Sequence, residues 1–300
     1  MSSSFKLQTV AVLGAGTMAS AMICRLRDAG FRLHLYNRSH DRIAPLAQAQ
    51  DVIAATPAEA AADADLVLSV VADDEASRTM WMGPTGALAG LRAGRLAMEC
   101  STLSHRWARA WAQEVRSHGS HPFDAPVTGS RPRAQEGTLV MFLGADPGTV
   151  QRVAPVTDAL TERIYHLGPP GAATQFKLAH NLLAASILSA FAETLDIIAR
   201  MDLSPALAVE ILSSYGWATG VASGKGSAMV VDQHDDVLCK LSLLAKDTEY
   251  ALAAAEDVGA LPSVGIAASG SLQQAVAAGL GDLDMSAVHR IYQGMAKEEL

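Results

Sequence analysis

Cysteine is scarce in this chain, with three in 300 residues, at positions 24, 100 and 239. An odd, widely spaced set supplies no disulfide framework, and no pair has metal-ligand spacing. The thiols are expected to be buried or partly buried in a reducing compartment. Basic charge is also short: 23 Lys and Arg against 31 Asp and Glu leave a formal net charge of −8. That balance argues against a nucleic-acid-binding face. Charged residues make up only 18% and hydrophobic residues 50%, so the chain is folded around a large core rather than disordered. No apolar run reads as long enough to cross a bilayer. The opening Met1-Ser2-Ser3-Ser4-Phe5-Lys6 has no apolar signal region. A cytoplasmic protein with no membrane or nucleic-acid partner is the expectation.

The first half alternates apolar runs with helical patterns. Strands are predicted at 8–13, 32–36, 51–54, 65–71, 95–99, 121–124, 138–143 and 163–166. Helical segments lie between them at 17–29, 40–48, 57–62, 104–117 and 147–159. Alternating strands and helices point to a parallel sheet covered on both faces. After Pro170 no convincing strand appears. Residues 172–200 form one long helical pattern, with Leu178, Leu182, Leu188, Phe191 and Leu195 near helical spacing. Further helices are predicted at 204–214, 237–257, 261–279 and 285–297, with a looser connection at Gly216, Gly220, Gly224 and Gly226. The fold class is therefore α/β. A Rossmann-type dinucleotide-binding domain over 1–169 precedes a long helix and an all-helical domain over 170–300. Few charges lie between Leu178 and Ala192, so this helix is expected to be buried on most sides, with a second subunit as one cover. A homodimer or homotetramer follows as an expectation.

The segment Val10-Ala-Val-Leu13 ends on Gly14-x-Gly16-x-x-Ala19 and runs into a helix. Gly14 permits a tight turn, Gly16 lets a pyrophosphate approach the backbone, and Ala19 lets the helix pack on the strand. The free N–H groups of the helix start, at Thr17 and Met18, then face the phosphates. A glycine triplet alone is weak, but this one lies between a buried strand and a helix. A second strand, Leu33-His-Leu-Tyr-Asn37, arrives at the expected distance. Dinucleotide binders that prefer NAD tend to carry an acid at the end of that strand for the ribose 2′-hydroxyl. Here Asn37-Arg38-Ser39 stands instead. Arg38 either pairs with a 2′-phosphate, with Asn37 and Ser39 donating to it, or stacks on the adenine. NADP is the preferred reading and NAD remains possible.

Four further motifs follow in order. Ser101-Thr102 comes after the strand at 95–99. Asp124-Ala-Pro-Val-Thr-Gly-Ser130 comes after 121–124, with Ala134-x-Glu136-Gly137-Thr138-Leu139 shortly behind. Gly171-x5-Lys177-x3-Asn181 opens the long helix, and Lys246-Asp247 lies in a later one. With these motifs, in this order, the chain resembles the β-hydroxyacid dehydrogenase family over nearly its whole length. That family includes 3-hydroxyisobutyrate dehydrogenase and the glyoxylate, tartronate semialdehyde and succinic semialdehyde reductases. The 6-phosphogluconate dehydrogenases and imine reductases are more distant relatives.

Lys177 and Asn181 are four apart on a helix and so share a face. Taken alone they would fit a surface lysine and a solvated asparagine. The resemblance instead makes Lys177 the general acid/base at the reacting oxygen and gives Asn181 the task of orienting substrate and lysine. It implies that Ser101, Thr102, Thr128, Gly129, Ser130, Lys177 and Asn181 meet a small carboxylate substrate. Val71, Thr102 and Lys246 join the glycine turn and Asn37-Arg38-Ser39 around the cofactor. Lys246 is also expected to close the cleft. The chain departs from the usual Ser-Gly-Gly by carrying Thr128-Gly129-Ser130, which adds bulk, and has Cys239 where a Phe is frequent. Arg131 and Arg133 either pair with a second anionic group on the substrate or are solvated. His234 with Asp235-Asp236 lacks metal spacing and reads as a cap or solvated loop; no metal is expected. The reading is an NADP-preferring oxidoreductase that interconverts a small β-hydroxy acid and its semialdehyde or keto acid. An imine reductase-like enzyme is one rival, although those relatives commonly lack the lysine. A non-catalytic dinucleotide sensor on the same fold is the other.

Overall fold

The computed structural model describes residues 7–294. The chain divides into two compact units after Lys177, inside the long helix rather than before it. The first unit is built on a nine-stranded sheet. Its strands are β1 Thr9–Leu13, β2 Arg32–Tyr36, β3 Val52–Ile53, β4 Leu66–Ser69, β5 Leu96–Glu99, β6 His121–Asp124, β7 Val127–Thr128, β8 Leu139–Gly144 and β9 Thr161–Gly168. They lie in the order β3-β2-β1-β4-β5-β6-β8-β7, with β9 paired to β8. The first six run parallel. β8 is antiparallel to β6 and β7, and β9 follows β8 in parallel. The strand order reverses between β1 and β4, and ligands of open α/β sheets bind at the carboxyl ends of strands beside such a reversal.

Successive side chains of a strand point to opposite faces. Val10, Val12, Leu66, Leu68, Leu96 and Met98 pack on one face with Met22, Ile23 and Leu26 of the helix Thr17–Asp28. Ala11, Leu13, Val67 and Ala97 pack on the other with Trp81, Trp107 and Trp111. Trp81 and Trp111 meet at a tilt with ring centroids 5.3 Å apart. A sheet buried on both faces needs strands that are apolar throughout, which is why Val10–Leu13 reads as an unbroken run. Three short helices, Asp74–Trp81, Ala87–Gly90 and Ser130–Glu136, and the two-residue β7 were not expected from the sequence. The first is capped by Asp73, whose side chain accepts from the Ala76 N–H, and its acidic first turn, Asp74 and Glu75, suits the positive end of the helix. Cys100 is buried, but Cys24 is exposed on the first helix, contrary to the expected burial of the thiols.

Beyond Pro170 the described residues form no further strand. The long helix Ala172–Arg200 sends Ala185, Leu188, Phe191, Ala192 and Leu195 into the core of the second unit, against Leu241, Leu244, Leu272 and Val288. By length and composition this helix would pass for a bilayer span, which corrects the expectation that no run reached that length. Its buried stripe belongs to a protein core. Leu183 and Ile197 on its other side are 61% and 44% exposed. Within the chain the helix is therefore covered along one side, not on most sides. The helices Pro205–Ser214, Leu241–Asp257, Ser263–Ala275 and His289–Gly294 complete the unit. Positions 295–297 of the last predicted helix lie outside the described residues. The glycine-rich connection is not loose: Thr219–Val221, Ala222–Gly226 and Ser227–Val230 are successive helical turns, the middle one a π-turn. A side chain at Gly226 would press on Val209 at 2.7 Å, so this glycine permits close helix packing rather than flexibility.

His234 is 2% exposed, which corrects its reading as a cap or solvated loop. Its Nδ1 lies 2.8 Å from Ser286 Oγ and its Nε2 3.2 Å from Asp232 Oδ1. The order serine, histidine, aspartate suggests a nucleophile, but Ser286 is fully buried. The group is a lock between the loop at 231–240 and the turn Met285–Val288. Asp284 tightens it by holding the Lys225 ammonium at 2.8 Å and the Leu238 and Ser286 N–H groups at 3.0 Å. Burial, then the neighbouring Arg290, pushes the His234 pKa below its ordinary 6.5, against the opposing pull of Asp232 and Asp284. His289 is lowered in the same direction, chiefly by burial. Below pH 6.5 the unfolded chain takes up protons that the folded imidazoles refuse, so stability is lost as pH falls. The thermal midpoint is expected to drop as pH falls below about 6.5, by less in His234→Gln. Equal slopes in a scanning-calorimetry series of the two proteins would refute the assignment.

Candidate active site

The turn after β1 is shaped by contacts on two sides. Gly14 has φ 122° and donates its N–H to the Tyr36 carbonyl at 2.8 Å. A Cβ there would collide with the Val70 carbonyl oxygen. Only glycine tolerates both the left-handed backbone and that approach. Gly16 is the residue before the helix Thr17–Asp28, no side chain caps that helix, and a Cβ at Gly16 would meet open space. Ala19 is fully buried. Thr17 and Met18 thus offer N–H groups at a helix start with room in front, an arrangement suited to a dinucleotide pyrophosphate. At the end of β2, Asn37 donates its amide to the Ser39 carbonyl at 2.8 Å. That bond holds the turn and leaves Arg38 exposed.

Glu99 closes β5 and is 1% exposed. Its Oε2 accepts from Ser77 Oγ at 2.7 Å and Trp81 Nε1 at 2.9 Å. Its Oε1 accepts from the Ser101 N–H at 3.1 Å and Ser101 Oγ at 2.6 Å. Burial raises its pKa, and these four hydrogen bonds oppose the rise. Ser101 Oγ in turn accepts from the Val71 N–H at 2.8 Å. The Ser101 hydroxyl expected to donate to a substrate is instead engaged inside the protein, at 4% exposure. The sequence reading missed Glu99, because an acid inside an apolar strand is recognisable only once its donors are in place.

Asp124 closes β6 and is 1% exposed. It accepts from the Gly171 N–H at 2.6 Å, the Thr174 N–H at 2.6 Å and Thr174 Oγ1 at 2.8 Å. The first N–H groups of a helix have no partner within it, so Asp124 caps the long helix from the sheet. A Cβ at Gly144 would collide with Asp124 Oδ1, so that glycine makes room for the cap. Burial raises the Asp124 pKa while the three bonds lower it. Lys177 follows three residues after Thr174 and is 7% exposed.

Asn181 sits one turn beyond Lys177, at the start of the second unit, and is 9% exposed. Its Nδ2 donates to Asp247 Oδ2 at 2.6 Å. Asp247 Oδ1 is 2.9 Å from Lys246 Nζ, and that ammonium lies 4.8 Å from the centroid of the Tyr250 ring. Asp247 therefore orients the amide of Asn181 and holds Lys246 together. Thr128 ends β7 opposite Val140. Gly129 and Ser130 both have positive φ, 132° and 59°, so Ser130 occupies a backbone conformation that glycine adopts without strain. Arg133 is engaged by Glu162 at 2.6 Å, a surface ion pair rather than a substrate contact.

These parts correspond to known proteins in order. The family model described as the NAD binding domain of 6-phosphogluconate dehydrogenase matches residues 9–168. The one described as NAD-binding of NADP-dependent 3-hydroxyisobutyrate dehydrogenase matches 171–292. The chain belongs to the β-hydroxyacid dehydrogenase family. As a β-hydroxyacid dehydrogenase relative it is an NAD(P)-dependent oxidoreductase. It is 30% identical to the oxidoreductase YfjR of Bacillus subtilis, over 93% of this chain and 98% of that one. It is 28% identical to glyoxylate/succinic semialdehyde reductase 2 of Arabidopsis thaliana, over 94% and 79% respectively. The solved 3-hydroxyisobutyrate dehydrogenase of Mycobacterium tuberculosis with L-serine is 27% identical. It has a TM-score of 0.83, over 95% of this chain and 99% of that one.

In this β-hydroxyacid dehydrogenase the position of Lys177 depends on the cap beneath it. Asp124→Ala leaves two buried N–H groups without partners, each worth about 1–3 kcal/mol. A stability loss of at least about 2 kcal/mol in urea unfolding is expected. A loss within experimental error would show that the cap carries no load.

Proposed function

We propose that this protein reduces a small semialdehyde or keto acid with NADPH, and catalyses the reverse oxidation, with Lys177 as the acid/base. The observation that carries the reading is the buried Lys177, one helical turn from an Asn181 whose amide is held by Asp247. Support for the substrate class comes from two relatives: one is named for glyoxylate and succinic semialdehyde, and the other was solved with L-serine. All three are small carboxylates.

NADPH, when bound, supplies the hydride. The work of the protein is to hold the carbonyl and manage its oxygen. As hydride arrives, negative charge develops on that oxygen. The Lys177 ammonium stabilises the charge and delivers a proton, and in a site shielded from water its field is less screened. Asn181, with its oxygen and nitrogen ends fixed by Asp247, orients the reacting group. Thr128, Gly129 and Ser130 offer neutral donors for the substrate carboxylate. Arg38, exposed beside a turn that carries no acid at position 37, pairs with the 2′-phosphate of the cofactor.

Lys177→Ala is expected to lower turnover roughly 10²–10³-fold, with cofactor affinity nearly intact. The loss of NADPH absorbance with glyoxylate and succinic semialdehyde measures it, and near-normal turnover would overturn the mechanism. The wild type is expected to have a higher kcat/KM with NADPH than with NADH, and Arg38→Asp to reverse that order. Equal or better efficiency of the wild type with NADH would refute the role of Arg38.

A further inference from the structure

The ends of β4 and β5 in the first unit are joined through a single buried carboxylate, and the turn after β1 packs against them. The turn after β1 abuts the carbonyl of Val70, close enough to require glycine at position 14. Val70 and Val71 continue β4, and the Val71 N–H is bonded to the Ser101 hydroxyl beyond β5. That hydroxyl and the Ser101 N–H both point to Glu99 Oε1. The other carboxylate oxygen is anchored to the core by Trp81 and Ser77.

The donors define the polarity of this chain of bonds. Ser101 and Trp81 N–H groups can only donate, and one of them meets each Glu99 oxygen. The Ser101 hydroxyl has one hydrogen, which goes to Glu99, and its oxygen accepts from Val71. The hydroxyl therefore works as a clasp between the ends of β4 and β5, and has no hydrogen left for a substrate. These strand ends lie on the side of the sheet reversal opposite β2, whose end carries Arg38. A dinucleotide that places its adenosine half over the end of β2 extends its other half towards β4 and β5.

We infer that Glu99 is a positioning residue that acts through Ser101 to hold the backbone of Val71 and Thr102 in place for the nicotinamide half of the cofactor. The inference rests on the proposed function, because it needs a dinucleotide in this orientation. It assigns to Ser101 a role different from substrate binding. It also separates the two halves of the cofactor, since the clasp joins the ends of β4 and β5 while Arg38 follows β2, on the far side of β1.

The test compares two ligands by calorimetric titration. One is intact NADPH, or NADH if the wild type binds it more tightly. The other is the corresponding ADP-ribose, with the 2′-phosphate for NADPH, which lacks the nicotinamide. Ser101→Ala is expected to weaken the intact cofactor about tenfold, the scale of one lost hydrogen bond to a charged group. Its affinity for the fragment should stay within about twofold. Glu99→Gln, whose amide nitrogen cannot accept from these donors, should shift the same ratio in the same direction. Ser77→Ala removes a donor from the other carboxylate oxygen and leaves the clasp; it should lower the thermal midpoint without moving the ratio. Equal weakening of both ligands in Ser101→Ala, or no weakening of either, would overturn the inference while the proposed function stands. Failure of the wild type to bind either dinucleotide would overturn both.

Discussion

The carboxylate of Asp124 accepts three hydrogen bonds from the first residues of the long helix, and the placement of Lys177 follows from them. Burying a carboxylate costs several kcal/mol unless donors replace its water. Helix starts have spare N–H groups and a positive dipole end. The two needs answer each other, and neither is met without the sheet that carries Asp124 at the end of β6. Gly144 on β8 is part of the same arrangement, because any side chain there would occupy the space of the carboxylate.

The same logic recurs at Glu99 and Asp247. Each is an acid removed from water, and each is satisfied by groups that must be positioned for the chemistry or its support. Glu99 takes the Ser101 hydroxyl and the Trp81 indole. Asp247 takes the Asn181 amide and the Lys246 ammonium. Trp81 thereby serves two purposes: its ring fills the core on one face of the sheet, and its N–H anchors a strand end. Buried polar groups joined in this way confine a side chain to one geometry, because any other would leave a charge without partners.

The helical unit is packed more simply. Gly226 brings its turn against Val209 and Phe191, and Gly265 lies against Leu182, where a side chain would press at 2.9 Å. Close backbone approach at glycine lets short helices bury the stripe of the long helix without larger side chains. The lock of His234, Asp232 and Ser286 then ties the loop before the helix Leu241–Asp257, which carries Lys246 and Asp247. A polar cluster remote from the chemistry thus supports the element that bears part of the candidate site.

The local signals in the sequence were those that need no partner. An apolar run of period-free character predicts a strand covered on both faces, and β1 and β4 follow it, whereas β2 alternates Leu33 and Leu35 with polar neighbours. Gly14, Gly16 and Ala19 announce a strand, turn and helix because the turn itself requires small residues. The four-residue spacing of Lys177 and Asn181 places them on one helix face whatever surrounds them. What the sequence could not show is which polar groups find one another across the fold. Ser101 reads as a free donor until Glu99 claims its hydrogen, Arg133 as either an anion ligand or a solvated cation until Glu162 pairs with it, and His234 as a cap or solvated loop until Ser286 and Asp232 enclose it. The glycines at 216–226 read as slack, although Gly226 is a packing contact. Glu162, Ser286 and Val209 are distant in sequence from their partners, while Glu99 and Asp232, only two residues away, meet theirs through the turn that the folded backbone imposes. Propensity and periodicity describe what a residue favours by itself; hydrogen-bond satisfaction and steric fit exist only after the tertiary structure has brought the partners together.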